Sequence, residues 1–189
     1  MTPKPSTLDD WLPEPQVRTR HERSSAADPD TLWAAAKSVR LDQTRTIGRL
    51  VRWRIPGVRP AQSFVDLLED EPFIVLDAGE RYSISGLCGR IWTLARDYPQ
   101  LESPDAFRAW DAPRTVRVLF AHWVQREPDG RSTLVSEARV GPTDRVAAMR
   151  LRSLWLVIGP FERLIGKEPL ELAVAGAEAA SAASVRSGA

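Results

Sequence analysis

The chain has 189 residues, with 26 Lys and Arg against 25 Asp and Glu and a hydrophobic content of 43%. That length lets a single domain bury a real core, and the near-neutral balance excludes both a wholly disordered chain and a bulk polyanion binder. The single cysteine, Cys88, excludes an intramolecular disulfide and suits a reducing cytoplasm, the location expected, and no run of about eighteen uncharged apolar residues is present to span a membrane.

Residues 1–14 read as an extended, proline-punctuated lead, with Leu8, Trp11 and Leu12 able to tack it onto the surface. The opening MTPKPSTLDDWLPEP holds no apolar signal segment, so no secretory leader is expected. Residues 16–23, QVRTRHER, alternate in character and predict a first strand at a sheet edge. Asp28-Pro29-Asp30 starts a helix whose apolar residues are Leu32, Trp33, Ala36 and Val39. The spacing from Thr44 to Trp53 predicts a second helix, with Ile47, Leu50, Val51 and Trp53 on its apolar side, ending before the turn signal Pro56-Gly57. Ser63 to Leu68 adds a short helical turn.

Strand signals follow. Phe73 to Asp77 is a short β-branched run, and Tyr82 to Cys88 alternates, with Gly86 and Gly89 marking a bulge or a close backbone approach. Arg90 to Arg96 predicts a further strand. Residues 97–113 hold Pro99, Pro104 and Pro113 and read as a connection with a helical turn near Asp105–Trp110. Val116 to Gln125 is the strongest strand; EPDG, Glu127 to Gly130, turns the chain, and Thr133 to Val140 returns.

The longest helical pattern is PTDRVAAMRLRSLWLVIGPFERLIGKEPLEL, Pro142 to Leu172. Val146, Met149, Leu151, Leu154, Trp155, Ile158, Phe161, Leu164 and Ile165 form its apolar stripe. Thr143 or Asp144 supplies the N-cap. Gly159-Pro160 is expected to kink or interrupt the helix, and Gly166 to stop its second part. Residues 176–189, rich in Ala, Ser and Gly, read as a fraying tail, which leaves 15–175 as the domain.

This order of elements, with LVSEARV (Leu134 to Val140) and RLRSLWLVIGPFERLI (Arg150 to Ile165), resembles the START-like helix-grip superfamily of polyketide cyclases, aromatases and lipid-transfer proteins (SRPBCC), and more narrowly a bacterial branch of it. The resemblance implies an α+β fold, a curved antiparallel sheet wrapped around a long C-terminal helix, with a largely apolar cavity between them. It supplies no universal catalytic motif, and fold analogy does not fix chemistry.

Two constellations carry the candidate site. The first is aromatic: Trp33, Trp53, Trp92, Trp110, Trp123, Trp155 and Phe161 can line a cavity for a flat or lipidic ligand or simply fill a core. The second is polar. Alternation puts Arg117, Leu119, Ala121 and Trp123 on one face of their strand, and Val118, Phe120, His122 and Val124 on the other. On the returning strand Leu134, Ser136, Ala138 and Val140 look like the face under the helix, with Thr133, Val135, Glu137 and Arg139 opposite. A four-residue loop matches Trp123 with Leu134, a five-residue loop reverses the match, and the sequence leaves both open. If His122, Glu137 and Arg139 share an inward face they suit acid–base chemistry; otherwise they belong to a cross-strand ion pair or a solvated sheet face, Glu137 and Arg139 alternating by the strand period.

The basic stretch from Lys37 to Arg59 can meet an anionic ligand head or a solvated surface, and it lacks the aromatic interleaving or zinc spacing of a nucleic-acid module. Cys88 in SGLCG lacks nucleophile-elbow spacing, and two histidines with one cysteine make no metal cluster. The expectation is binding of a small hydrophobic ligand (lipid, polyketide or isoprenoid) by Trp33, Trp92, Trp123, His122, Glu137, Arg139, Trp155 and Phe161, with no cofactor, no metal and no assigned catalytic residue. The alternatives are a cyclase- or aromatase-like enzyme in the same cavity and a protein-interaction module with a filled core.

Overall fold

The computed structural model describes residues 5–44, 59–93 and 98–187. The architecture is α+β: an open, five-stranded antiparallel sheet in the order β1-β5-β4-β3-β2, with a long C-terminal helix laid on one face. The strands are β1 (Val17–Ser25), β2 (Ile74–Gly79), β3 (Tyr82–Gly89), β4 (Val116–Arg126) and β5 (Ser132–Pro142). As the alternation of 16–23 predicts, β1 lies at an edge. The helices are α1 (Pro5–Trp11), α2 (Pro29–Ser38), α3 (Phe64–Glu69), α4 (Pro104–Arg108) and α5 (Arg145–Ser187).

Local chemistry sets the helix starts. Asp28 Oδ1 accepts the Asp30 and Thr31 N–H groups, both at 3.0 Å, ahead of Pro29 at the first position of α2. Ser63 and Ser103 do the same for α3 and α4. At α5 the capping group is Asp144, whose Oδ1 accepts Ala147 N–H at 2.7 Å. The Thr143 hydroxyl turns instead to the 112–115 loop.

The hairpin fixes which residues share a face. Arg126 pairs with Ser132 across a five-residue loop whose Gly130 sits at φ 87°, a conformation that favours glycine. His122 therefore pairs with Ser136 and Trp123 with Val135. The set Leu134, Ser136, Ala138 and Val140 lies on the α5 side, together with Val118, Phe120, His122 and Val124.

That face packs in two zones. Near one end, Leu151 of α5 joins Val17, Val118 and Val140; near the other, Leu170, Ala173 and Ala177 join Leu134, Val124 and Leu32, Trp33 and Ala36 of α2. Each large side chain so buried contributes roughly 1.5–3 kcal/mol. The helix is one 43-residue element, uninterrupted at Gly159-Pro160 or Gly166. A single proline removes one helical hydrogen bond, and anchors at Leu151 and Leu170 on either side favour continuation. The buried line also differs from the expected stripe. Leu151 of the stripe is buried as expected, but Ala147 is buried too, whereas Val146 and Met149 of the stripe are 38% and 61% exposed. The alanine-rich end read as a tail is helical to Ser187 and packs on α2, because small side chains permit close approach: a Cβ on Gly176 would lie 3.8 Å from Ala35 Cβ.

The opposite face of the sheet is covered by α1 and α4. The lead expected to be extended is helical from Pro5 to Trp11, and Leu8, Trp11 and Leu12 join Ile84, Leu119, Ala121, Trp123 and Phe107 in a core cluster. Gly86 provides the close approach suggested by its place in the strand, since a Cβ there would fall 2.6 Å from Phe107 Cε2. Arg90–Thr93, expected to begin a strand, forms a turn closed by Thr93 N–H to the Arg90 carbonyl at 3.3 Å. The expected helix beyond Thr44 and the end of that strand lie outside the described residues.

Candidate functional site

Cross-strand pairing lines up one row of polar residues on the α5 face. His21 of β1 pairs with Ser136 of β5, Ser136 with His122 of β4, and His122 with Ser83 of β3. The chain has two histidines, and both lie in this row, on either side of Ser136. The next row holds Thr19, Ala138, Phe120 and Ser85. Phe120, Ser136 and Ala138 are only half-buried, although they sit mid-sheet, while Val118 and Val140 on one side and Val124 and Leu134 on the other are buried. This strip of the sheet face, between the two packing zones of α5, is thus less deeply buried than the zones themselves.

His122 is the buried member of this strip, 7% exposed, with Phe64 edge-on at 5.6 Å between ring centroids. Its Nε2 has no hydrogen-bond partner among the described residues. Removal from water penalises the charged imidazolium and pushes the pKa down to about 4, so the ring is neutral at physiological pH. A cavity beside it is walled by Trp33, Ala36, Phe64, Val65, Leu134, Pro169, Leu170 and Ala173, with His122 the titratable group among them. The space open to the centre of a water molecule there is about 20 Å³, and one water needs roughly 10–15 Å³ by that measure. A larger guest requires the walls to yield, and Phe64, half-buried, is the wall residue packed edge-on against the imidazole.

Glu137 and Arg139 do not join His122. They project from the other face of β5, where both are 1% exposed. Arg139 Nε donates to Glu137 Oε1 at 2.7 Å, and Arg18 Nε lies 2.9 Å from the same oxygen. Arg20 adds a contact at 3.7 Å to Oε2 while its guanidinium lies 5.2 Å from the Trp123 ring. Arg139 Nη1 reaches the Asp9 carboxylate and donates to the Leu12 carbonyl at 3.0 Å, which ties α1 to the sheet. Of the two readings of Glu137 and Arg139, the structure has the ion pair, enlarged into a network under α1. Trp123 is core on that same face, its Nε1–H donating to Gln125 Oε1 at 3.3 Å.

The aromatic set is divided likewise. Trp33 walls the His122 cavity. Trp92 and Trp155 are half-buried against the Leu151 zone, with the Arg150 guanidinium 5.8 Å from the Trp92 ring, away from that cavity. The Phe161 side chain lies outside the described residues, as do Arg45, Arg49, Arg52 and Arg54 of the basic stretch; Arg40 pairs with Asp42 at 3.0 Å. Cys88 is a buried thiol, pushed up to about 12 by desolvation. Among the described residues no group of three His, Cys, Asp or Glu can hold a metal ion, and no helix is long and apolar enough to cross a membrane.

Sequence reasoning missed Phe64, Leu170 and Ala173 as walls. Phe64 carried no signal beyond its place in a helical turn; Leu170 lay in the predicted helix but past its apolar stripe, and Ala173 lay between that helix and the expected tail.

No protein-family model matches the chain, and no curated protein does. Solved structures similar to it include TTHA0849 of Thermus thermophilus, at 12% identity and TM-score 0.34 over 87% of this chain and 99% of that one. The hypothetical protein jhp0584 of Helicobacter pylori matches at 9% identity and TM-score 0.38 over 96% of each chain. The Zhui aromatase/cyclase of Streptomyces sp. R1128 matches at 12% identity and TM-score 0.33 over 86% of this chain and 93% of that one.

Proposed function

We propose that the protein is a bacterial member of the START-like helix-grip superfamily that binds a small hydrophobic molecule (a lipid, polyketide or isoprenoid) between the sheet and α5. The observation that carries this reading is His122: a desolvated imidazole with Nε2 unpartnered among the described residues, at the edge of an apolar cavity walled by Trp33, Phe64, Leu134 and Leu170. A guest that displaces Phe64 gains apolar burial at roughly 25 cal/mol per Å² and supplies the missing hydrogen bond, which relieves a penalty of about 1–3 kcal/mol.

A cyclase- or aromatase-like reaction in the same cavity is the second reading, favoured by the presence of a titratable group in the wall. A base with a pKa of about 4 is poorly matched to proton abstraction near neutrality, so His122 serves better as a hydrogen-bonding group than as a proton acceptor. Native mass spectrometry of the purified protein, followed by organic extraction, tests the binding reading. A small apolar adduct, absent from Ala173→Leu, in which the cavity wall grows inward, is expected. A protein free of adduct that also shows no thermal shift with a lipid and aromatic panel overturns it in favour of a filled core.

A further inference from the structure

The polar row narrows the class of ligand. His122 and Ser136 are direct cross-strand partners on the α5 face of the sheet, one buried and one half-buried, with Ser83 beyond His122. The charged groups nearest this row are already engaged or of the wrong sign for an anion. Glu69 accepts the Ser83 hydroxyl at 3.2 Å, placing a carboxylate at one end, and Arg23 at the other side is held by Glu171 at 2.8 Å. A ligand carboxylate or phosphate buried beside His122 would meet a desolvated imidazole, the Ser136 and Ser83 hydroxyls and the Glu69 carboxylate, with His21, the other imidazole of the row, half-buried beyond Ser136. Burying an unpaired charge costs far more than one hydrogen bond returns. A neutral oxygen meets no such penalty: a ligand hydroxyl can donate to or accept from Nε2, according to tautomer, and exchange a second bond with the Ser136 hydroxyl.

We infer that the site takes an uncharged, oxygen-bearing apolar molecule, a phenol- or alcohol-type ligand whose hydroxyl is held between His122 Nε2 and Ser136 Oγ, in preference to a fatty acid or a phosphate-headed lipid. This rests on the binding reading above. The test is isothermal titration with three probes of one shape: naphthalene, 2-naphthol and 2-naphthoate. Expected is that 2-naphthol binds about tenfold more tightly than naphthalene, as one added buried hydrogen bond implies, and that 2-naphthoate binds no better than naphthalene. In His122→Phe the ratio of naphthol to naphthalene affinity should fall to about one, whatever the naphthalene affinity becomes, and Ser136→Ala, which leaves the imidazole in place, should reduce the ratio severalfold. Tightest binding by 2-naphthoate, or a naphthol preference that survives both variants, overturns the inference alone. Failure of all three probes, naphthalene included, overturns the binding reading and this inference together.

Discussion

His122 and Glu137 belong to neighbouring strands yet lie on opposite faces of the sheet, His122 paired with Ser136 under α5 and Glu137 paired with Ala121 under α1. A joint acid–base role for the two is thereby ruled out by register alone. The expected energetic consequence is that they act independently. In a double-mutant cycle followed by denaturant unfolding, His122→Phe and Glu137→Gln should be additive within about 0.5 kcal/mol, whereas Glu137→Gln and Arg139→Met should show a coupling above about 1 kcal/mol. Strong His122–Glu137 coupling would contradict the register.

The network under α1 makes a second expectation. Arg139 and Glu137 are buried and bonded to each other, so Arg139→Met leaves an incompletely paired carboxylate and should lower stability by about 3–5 kcal/mol. Asp9, the exposed end of the same network, should matter little: Asp9→Ala is worth less than about 1 kcal/mol. Leu8→Ala, in contrast, empties a fully buried position of α1 and should cost about 2–5 kcal/mol. Equal effects of Asp9→Ala and Leu8→Ala in urea unfolding would mean that α1 is held by charge and not by its apolar face.

The β4–β5 hairpin was legible because alternation over Val116–Gln125 and Thr133–Val140 about a turn signal has only one common explanation, and the helix-on-sheet arrangement followed from the resemblance. The sequence did not tell the face of His122, since one residue of loop length inverts every side chain of a hairpin. It misled at α5. Large residues such as Val146 and Met149 drew the stripe yet are exposed; Leu151 of that stripe is buried, and the other buried contacts are made by Ala147, Ala173 and Ala177, whose small size is what lets the helix approach the sheet and α2. It misled again at α1, where proline punctuation near Leu8, Trp11 and Leu12 hid a short helix that tertiary packing supports. Of the cavity wall, Leu134 was legible from alternation and Trp33 from the helix pattern of α2, while His122 was named with its face left open.

Acid should destabilise the protein through His122. Its folded pKa of about 4 lies below the ordinary value of 6.5, so between those values the unfolded chain binds a proton that the folded chain refuses. The stability associated with the neutral ring is complete above pH about 6.5 and is lost as pH falls towards about 4, by roughly 3 kcal/mol in all. Asp28, held low by the Thr31 hydroxyl, and Asp144, held low by the Ala147 N–H, act below that window. Subtracting the His122→Phe stability profile from that of the parent should isolate the step; a flat difference between pH 6.5 and 4 would contradict a desolvated, neutral ring.

Cys88 offers a simple check of the core under α1. Its thiol is fully buried and its pKa is raised to about 12, so iodoacetamide at pH 8 should leave the folded protein unlabelled and label it once in guanidinium. Rapid native labelling would show that this face opens.

The most direct measurement is a long-range ¹H–¹⁵N spectrum of the imidazoles during titration with 2-naphthol. The chain has only two histidines, so two ring systems are observed and are assigned with His122→Phe. Saturable movement of the His122 Nε2 resonance, at the concentration where binding saturates by calorimetry, is the predicted result. Saturable binding that leaves the His122 resonances unmoved would place the ligand elsewhere and contradict the account.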